Sequence, residues 1–334
     1  MGGKGGTEII MRNDILDYLL AHRGEYISGQ KLSEQLGVSR TAVWKHIQLL
    51  KQRNYRIESH TKRGYCLHEA PELLPPERIL DGLKTVTLGR EIAYYERVSS
   101  TNTLAKQLAD QGAPEGTLVL AEEQFGGRGR LDRAFLSPFA QGLWFSLILR
   151  PPFLPMEVAK MTLLAAVALT RAIRHMGVQC AIKWPNDLLV KGRKLVGILT
   201  ELNASMERLN YLVLGMGINT SLKEEDVSPE LRRIVTSFAM EQVPVSRQKL
   251  LQEVLCQLEK YYMIAKEDGF APILQEWKEL SCILGTEVGV ALPQGNIIGT
   301  AVDLDDSGNL IVVAADGRKE TILAGDVRVR PVHK

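Results

Sequence analysis

The stretch SGQKLSEQLGVSRTAVWKHIQLLKQRNYRIESHTKRGYCL, residues 28–67, decides the fold of the amino-terminal part of the chain. Ser28 is placed to cap a short helix whose Leu32 and Leu36 share one face. Gly37 supplies a tight turn, and Ser39 caps a second helix with Val43, Ile47 and Leu50 turned inward. This is helix-turn-helix syntax. Behind it, Tyr55 to Ser59 and Tyr65 to His68 read as two strands around a basic tip of Lys62, Arg63 and Gly64, which makes a wing. Upstream, IIMRNDILDYLL predicts a helix covering this small core through Ile10, Ile15, Leu16 and Leu19.

Charge follows the same division. Between residues 28 and 68 eight basic side chains face only Glu34 and Glu58. The second helix leaves Arg40, Thr41, Lys45 and His46 as candidate DNA-binding groups, suited to phosphates or base edges in a major groove, with Lys62 and Arg63 on the wing. Such a module can also bind protein, and a short basic helix can be a solvated face. Over the whole chain 41 basic and 39 acidic residues nearly cancel, so overall charge selects no partner.

The 334 residues suit two or three domains, and 45% hydrophobic with 24% charged residues excludes a disordered or fibrous chain. Cys66, Cys180, Cys256 and Cys282 form neither a disulfide framework nor a CxxC site, so a reducing, cytoplasmic location is expected. The start carries glycines and charges instead of a secretory signal. The run MTLLAAVALT at 161–170 falls short of the roughly 20 residues of a membrane span and reads as a buried helix, so no membrane partner is expected. Pro71, Pro75 and Pro76 place a boundary near residue 70.

From there to about residue 277, strand-like YLVLGMGIN and LWFSLIL alternate with long helical segments, which predicts an α+β domain. From about 281, TEVGVAL, IIGTAVDLD, GNLIVVAA and VRVR read as strands of a small β-barrel. Gly299, Gly308 and Gly317 lie between those strands in this reading, and Val302, Leu304, Leu310 and Val312 supply the core. The expected division is 1–70, 71–280 and 281–334.

Chemistry concentrates in the turns of the central region. In EEQFGGRGRLDR, residues 122–133, Gly126, Gly127 and Gly129 bring backbone donors near an anion, and Arg128, Arg130 and Arg133 offer charged forks for phosphate or carboxylate. The same loop suits RNA or a solvated turn, and it lacks the GxxxxGK[ST] pattern of a P-loop. In IKWPNDLLVKGRKLVGILTE, Trp184 and Pro185 form a stiff corner displaying Lys183 and Asn186, with Asp187 beside them and Lys194 returning after a basic turn. Lys183 suits developing phosphate charge and Asp187 a magnesium ion shared with nucleotide oxygens; a solvated Lys–Asp corner is the plainer alternative. Ser99, Ser100, Thr101 and Asn102 either cap the NTLAKQLAD helix or hold a small polar head group. GMGINT at 215–220 brings backbone close to a ligand or simply ends a strand. The histidines have no metal-ligand spacing, and no GxSxG elbow is present, which argues against hydrolase chemistry.

Together, SSTN at 99–102, EEQFGGRGRLDR, SPFAQGLWFS at 137–146, KWPNDLL at 183–189, KLVGILTE at 194–201 and GMGIN at 215–219 closely resemble the biotin-protein ligase family, in its bifunctional form with a biotin-operon repressor domain. The resemblance spans effectively the full length. It implies an α+β multidomain chain: a winged helix-turn-helix, a central mixed-sheet class II aminoacyl-tRNA-synthetase-like ligase domain, and a carboxyl-terminal SH3-like β-barrel. It also implies a biotin-[acetyl-CoA-carboxylase] ligase. ATP, Mg2+ and biotin would give biotinyl-5'-AMP, and biotin would pass to a lysine of a biotin carboxyl carrier protein domain of acetyl-CoA carboxylase or another biotin-dependent carboxylase. Operator DNA and a ligand-promoted homodimer complete the implied partners.

Carried onto this sequence, Ser100, Thr101 and Asn102 lie near the biotin head and Gln124 orients it. Arg128 and Arg130, with Gly127 and Gly129, enclose carboxylate and phosphate. Arg133 helps retain pyrophosphate or order the loop. Lys183, with Arg128 and Arg130, is catalytic; Asn186 and Asp187 organise nucleotide and magnesium; Gly197 and Leu199 line biotin, and Asn219 the nucleotide. Three positions depart from the family pattern: Asp132 and Ala140 stand at frequent glycine sites and Phe135 at a common tryptophan. Two rivals follow: a ligand-sensing repressor that has lost transfer, motivated by Asp132, and a related acyl ligase using lipoate.

Overall fold

The computed structural model describes residues 14–205, 209–292, 295–323 and 325–329. Its contacts divide the chain into two compact units, Met1–Leu73 and Leu74–Lys334.

In the first unit, residues 14–21 are helical (α1) and bury Ile15 and Leu19; Ile10 lies outside the described residues. Helices α2 (Gly29–Leu36) and α3 (Arg40–Gln52) follow. Ser28 Oγ accepts from Lys31 N and Ser39 Oγ from Ala42 N, each 3.1 Å, so both expected caps satisfy otherwise orphaned helix donors. Leu32, Val43, Ile47 and Leu50 are buried. Strands β1 (Arg56–His60) and β2 (Gly64–Glu69) pair antiparallel as the wing, and Ile27 bridges to Tyr65 beside them.

The second unit opens with a short helix α4 (Pro76–Leu80) and is built on a seven-stranded sheet. Its strands are β3 (Ile92–Val98), β4 (Leu118–Gln124), β5 (Gly142–Leu149), β6 (Ala181–Lys183), β7 (Asp187–Val190), β8 (Arg193–Ala204) and β9 (Leu209–Asn219), in the order β3-β4-β5-β9-β8-β7-β6. Only β3 and β4 run parallel, so the sheet is mixed.

Strand alternation gives the two faces different jobs. Leu143, Phe145, Leu147 and Leu149 of β5 and Leu212, Leu214, Met216 and Ile218 of β9 join one large apolar cluster. It includes the buried residues of α6 (Val158–His175), α8 (Arg247–Glu267) and α9 (Ala271–Leu280). The opposite face carries α5 (Thr101–Asp110), over a small cluster that includes Ala105, Ala109, Val119, Ile148 and Val213. Beyond α5, Phe135 and Lys194 lie over Gly197 and Gly217 on that face. Among the described residues no helix is long and apolar enough to cross a membrane, and 161–170 lies within buried α6.

A buried ion pair fixes the base of the site. Arg247 Nη2 lies 2.8 Å from Glu122 Oε2, with side chains 2% and 0% exposed. Arg247 also donates to the Gly142 carbonyl, while Glu122 Oε1 accepts from Leu74 N and Tyr94 Oη. With its remaining lone pairs used, the carboxylate ties β3, β4, β5 and α8 together; removing one partner alone costs about 3–5 kcal/mol.

The expected closed carboxyl-terminal barrel is not formed. Strands β10 (Glu287–Leu292), β11 (Gly295–Leu304), β12 (Leu310–Ala314), β13 (Lys319–Ile322) and β14 (Asp326–Val329) make an open sheet in the order β13-β12-β11-β10-β14. Among the described residues no pairing joins β13 to β14. A barrel fills its interior with its own side chains; here Val288, Val290, Ala301, Leu304, Leu310, Val312 and Ile322 belong to the same cluster as α6, α8 and α9. The larger core covers the inner face and removes the need to close. Val302 is 42% exposed rather than in the core, and Gly299 lies inside β11 rather than between strands. Gly308 and Gly317 do occupy turns, at φ 81° and 84°.

Candidate active site and nucleic-acid face

The site begins with a row across the α5 face of the central sheet. Lys183 pairs with Asp187, Asp187 with Gly197, Gly197 with Gly217, and Gly217 with Trp144. The neighbouring row joins Leu199, Gly215 and Ser146. Residues directly opposite on paired strands share a face, so Gly197, Gly215 and Gly217 form a floor without side chains. A Cβ at Gly215 would overlap Asn102 Oδ1, and one at Gly217 the Phe135 ring. Gly215 and Gly217 of GMGIN are therefore required by the close approach of Asn102 and Phe135.

A polar network walls one side. Thr101 donates from N and Oγ1 to Gln124 Oε1 at 2.8 and 3.1 Å, and Gln124 Nε2 donates to Ser137 Oγ at 3.0 Å. Ser146 Oγ reaches Thr101 Oγ1 at 2.8 Å and Asn102 Oδ1 at 2.6 Å; Asn102 Nδ2 donates to Glu201 Oε2 at 2.8 Å. Burial pushes the Glu201 carboxyl up, but hydrogen bonds from Lys106 and Asn102 outweigh it and leave it below the usual carboxylate range. Ser100 stands at the cap position of α5 but makes no side-chain cap bond. The SSTN hydroxyls and amide thus face the sheet rather than serving as caps. Ser137, Ser146 and Glu201 belong to this network and are not among the expected site residues; for Ser146 and Glu201 the parity of their strands is the signal.

The glycine-arginine loop closes on itself. Phe135 N donates to the Gly127 carbonyl at 2.9 Å and Gly129 N to the Arg133 carbonyl at 2.8 Å. Gly127 is required by close approach, because a Cβ there would lie 2.6 Å from Phe135 O. Arg128 Nη2 donates to Thr103 Oγ1 at 3.0 Å, and Arg130 Nη1 lies 3.4 Å from Asn186 Oδ1. The two departures at glycine sites both fall in the left-handed region, Asp132 at φ 54° and Ala140 at φ 54°. Backbone geometry therefore explains the glycine preference at both positions.

Two clefts meet over the floor. The first is lined by Ser100, Thr101, Asn102, Gln124, Arg128, Asn186, Gly197, Leu199, Gly215 and Gly217, the second by Arg133, Lys183, Asp187, Asn219, Leu222, Leu231, Ile234, Val235 and Arg328. Phe135 and Lys194 line both. Lys194 Nζ lies 2.6 Å from Asp187 Oδ1 and 5.6 Å from the Phe135 ring centre, and Phe135 packs edge-on to Trp144. Lys194, absent from the expected site set, is thus a cation at the junction, while Lys183 lines the second cleft and a neighbouring one with Cys180, Cys282 and Arg328. The first cleft gathers the expected biotin-side residues and the second Arg133, Lys183, Asp187 and Asn219. Arg130 lies outside both, with Asn186 and Trp184 in a third cleft.

A resident magnesium site is not built. Among the described residues no three His, Cys, Asp or Glu side chains gather, and the Asp187 carboxylate is held by Lys194. A magnesium ion shared with nucleotide oxygens, the role expected of Asp187, needs no such protein cage.

In the first unit, Arg40 and Thr41 line a groove between α3 and the wing with Trp44, Gln48, Lys51 and Lys62. Lys45 is exposed and His46 half-buried, both outside that lining. The Arg63 guanidinium stacks 3.9 Å from the Tyr26 ring centre, which holds the wing tip.

Comparison with known proteins fits this geometry. Residues 94–219 match the biotin/lipoate A/B protein ligase family, residues 11–66 an HTH domain, and residues 283–330 the biotin protein ligase C-terminal domain. The chain is 39% identical over 321 residues to the bifunctional ligase/repressor BirA of Bacillus subtilis, covering 96% of this chain and 98% of that one. Its counterpart in Escherichia coli is 29% identical over 317 residues, covering 95% and 96%. Among solved structures, the biotin protein ligase from Aquifex aeolicus in complex with biotin and ATP superposes with a TM-score of 0.62 at 27% identity, over 72% of this chain and 99% of that one.

Proposed function

The chain belongs to the bifunctional biotin-protein ligase/repressor family, and from that footing we propose how its own residues carry the two activities. It is an ATP-dependent ligase that forms biotinyl-5'-AMP, transfers biotin to a lysine of a biotin carboxyl carrier protein domain, and represses transcription through operator DNA. The observation that carries the residue assignment is the glycine floor meeting a second, apolar-walled cleft at Lys194.

Biotin lies in the first cleft, its ring beside Phe135 and Leu199 above the glycine floor and its polar head against Ser100, Thr101, Asn102 and Gln124. The nucleotide lies in the second, with its base against Leu222, Ile234 and Val235. Asn219 lines that end, and Arg133, Lys183 and Arg328 face the phosphate chain. Magnesium enters with ATP as part of the substrate. A carboxylate oxygen of biotin attacks the α-phosphorus, the bond to the β-phosphate oxygen breaks, and pyrophosphate leaves. Lys194 and Arg128 supply positive charge where carboxylate and phosphate converge, with Arg130 and Asn186 fixing the loop above them. In the second step the acceptor lysine nitrogen attacks the acyl carbon, the acyl–oxygen bond to AMP breaks, and the amine loses a proton. No enzyme nucleophile is needed.

The adenylate orders the loop that covers it, and a homodimer favoured by that state binds a two-fold operator. The four free cysteines suit the cytoplasm.

Incubation with ATP, magnesium, biotin and a carrier domain tests the reading. Covalent biotin on the acceptor lysine is expected. Its absence with folded protein and saturating substrates overturns the ligase reading in favour of a pure sensor, and preferential use of lipoate overturns the substrate.

A further inference from the structure

Helix α3 buries Val43, Ile47 and Leu50 but leaves Trp44 53% exposed. An indole left half in water forfeits part of its burial, so its position needs a reason. Trp44 stands one turn after Arg40 and one turn before Gln48, on the strip of α3 that faces the wing. The groove is lined by Arg40, Lys51 and Lys62 and by no acidic side chain. Its charge suits a phosphate-bordered duplex and is a poor match for a basic-rimmed or purely apolar protein surface.

Within a major groove, only one base edge presents a projecting apolar group, the C5 methyl of thymine, and a planar apolar side chain recognises it by contact alone. Lysine and arginine cannot make that distinction, and the phosphate contacts carry no sequence information. Gln48, about 6 Å along the helix axis, presents the amide that pairs with an adenine edge.

We propose that Trp44 is a specificity-determining residue of the repressor activity, reading a thymine methyl in each operator half-site, with Gln48 reading a nearby adenine. The inference rests on the DNA-binding reading and adds to it the base that is read.

The test uses the full chain with biotin and ATP. A duplex is first selected from a random-sequence library by the wild-type protein, and each thymine is then replaced in turn by deoxyuridine, which removes only the methyl. Wild type is expected to lose about fourfold in affinity at one thymine per half-site, the worth of about one buried methyl. Trp44→Ala, with a melting curve matching wild type, is expected to bind the parent duplex more weakly and to show no further loss at that position. Trp44→Phe is expected to retain part of the sensitivity.

Unchanged uracil sensitivity in Trp44→Ala, no sensitive thymine in wild type, or equal weakening on operator and random duplex each overturns the assignment of Trp44. A Trp44→Ala chain that melts early shifts the decision to Trp44→Phe, whose full wild-type sensitivity or complete loss on a stable fold overturns the ring-contact model. A wild-type protein that enriches no sequence overturns the DNA-reading premise itself.

Discussion

The ligase cleft and the DNA face solve recognition in opposite ways. In the cleft, Thr101, Asn102, Gln124, Ser137, Ser146 and Glu201 are joined into one hydrogen-bonded network. On α3 and the wing, Arg40, Thr41, Trp44 and Lys62 stand exposed, while Arg63 packs on Tyr26, Lys51 donates to Ser59 and Arg56 pairs with Glu69. A small neutral head group is held by preorganised partners whose geometry costs nothing at the moment of reaction. A long polyanion is held by charges that exchange counterions for phosphates. The difference teaches that substitutions in the cleft should act steeply and locally, while those on the DNA face should act in proportion to salt.

The largest expected break of that contrast is on the floor. Gly217→Val places a branched side chain where the Phe135 ring lies, and biotin-dependent adenylate formation should fall by about a hundredfold or more through misplacement alone. Steady-state adenylation with a melting control checks it. Next, Gln124→Ala removes the acceptor for Thr101 and should raise the KM for biotin by about tenfold, the worth of one hydrogen bond. The KM for ATP should change little.

On the other region, Lys62→Ala should weaken operator binding several-fold and lower the slope of log affinity against log salt by about one. Acceptor biotinylation should be unaffected. Arg63→Ala should act instead by loosening the wing from Tyr26.

Two smaller effects sharpen the contrast within the ligase unit. Ala140→Gly relieves a left-handed alanine and should stabilise the chain by about 1 kcal/mol in a denaturant titration. Glu201 titrates below the usual carboxylate range in the folded state. Its stabilisation is therefore present above the unfolded value of about 4.3 and is lost as pH falls through its own lower one. Glu201→Gln should be less stable than wild type at neutral pH, and the gap in melting temperature should close as the solution is acidified through that window.

Local signals made the first unit readable. Ser28, Ser39 and Gly37 specify caps and a turn within a few residues, and the structure uses all three. Motif resemblance brought together most of the cleft, because SSTN, the glycine-arginine loop and GMGIN each carry their own spacing. It assigned a role to Lys183 and none to Lys194. Both flank the same hairpin, and only the strand register places Lys194 where the two clefts join. Closure of the last sheet was not readable either. Alternating Val290, Leu304 and Val312 show that one face is buried, but not that α6, α8 and α9 share the cluster that buries it. Trp44 was hidden for a related reason: a tryptophan in a helix reads as core until the neighbours on its face are known.

The account's central claim is that adenylation occurs where the clefts meet, at Lys194. A rapid-quench measurement of biotinyl-5'-AMP formation in wild type, Lys194→Ala and Lys183→Ala tests it most directly. Lys194→Ala should slow the chemical step by about a hundredfold to a thousandfold without loss of melting temperature, and Lys183→Ala should weaken ATP use more mildly. Wild-type adenylation in Lys194→Ala, or a deeper loss in Lys183→Ala, would contradict it.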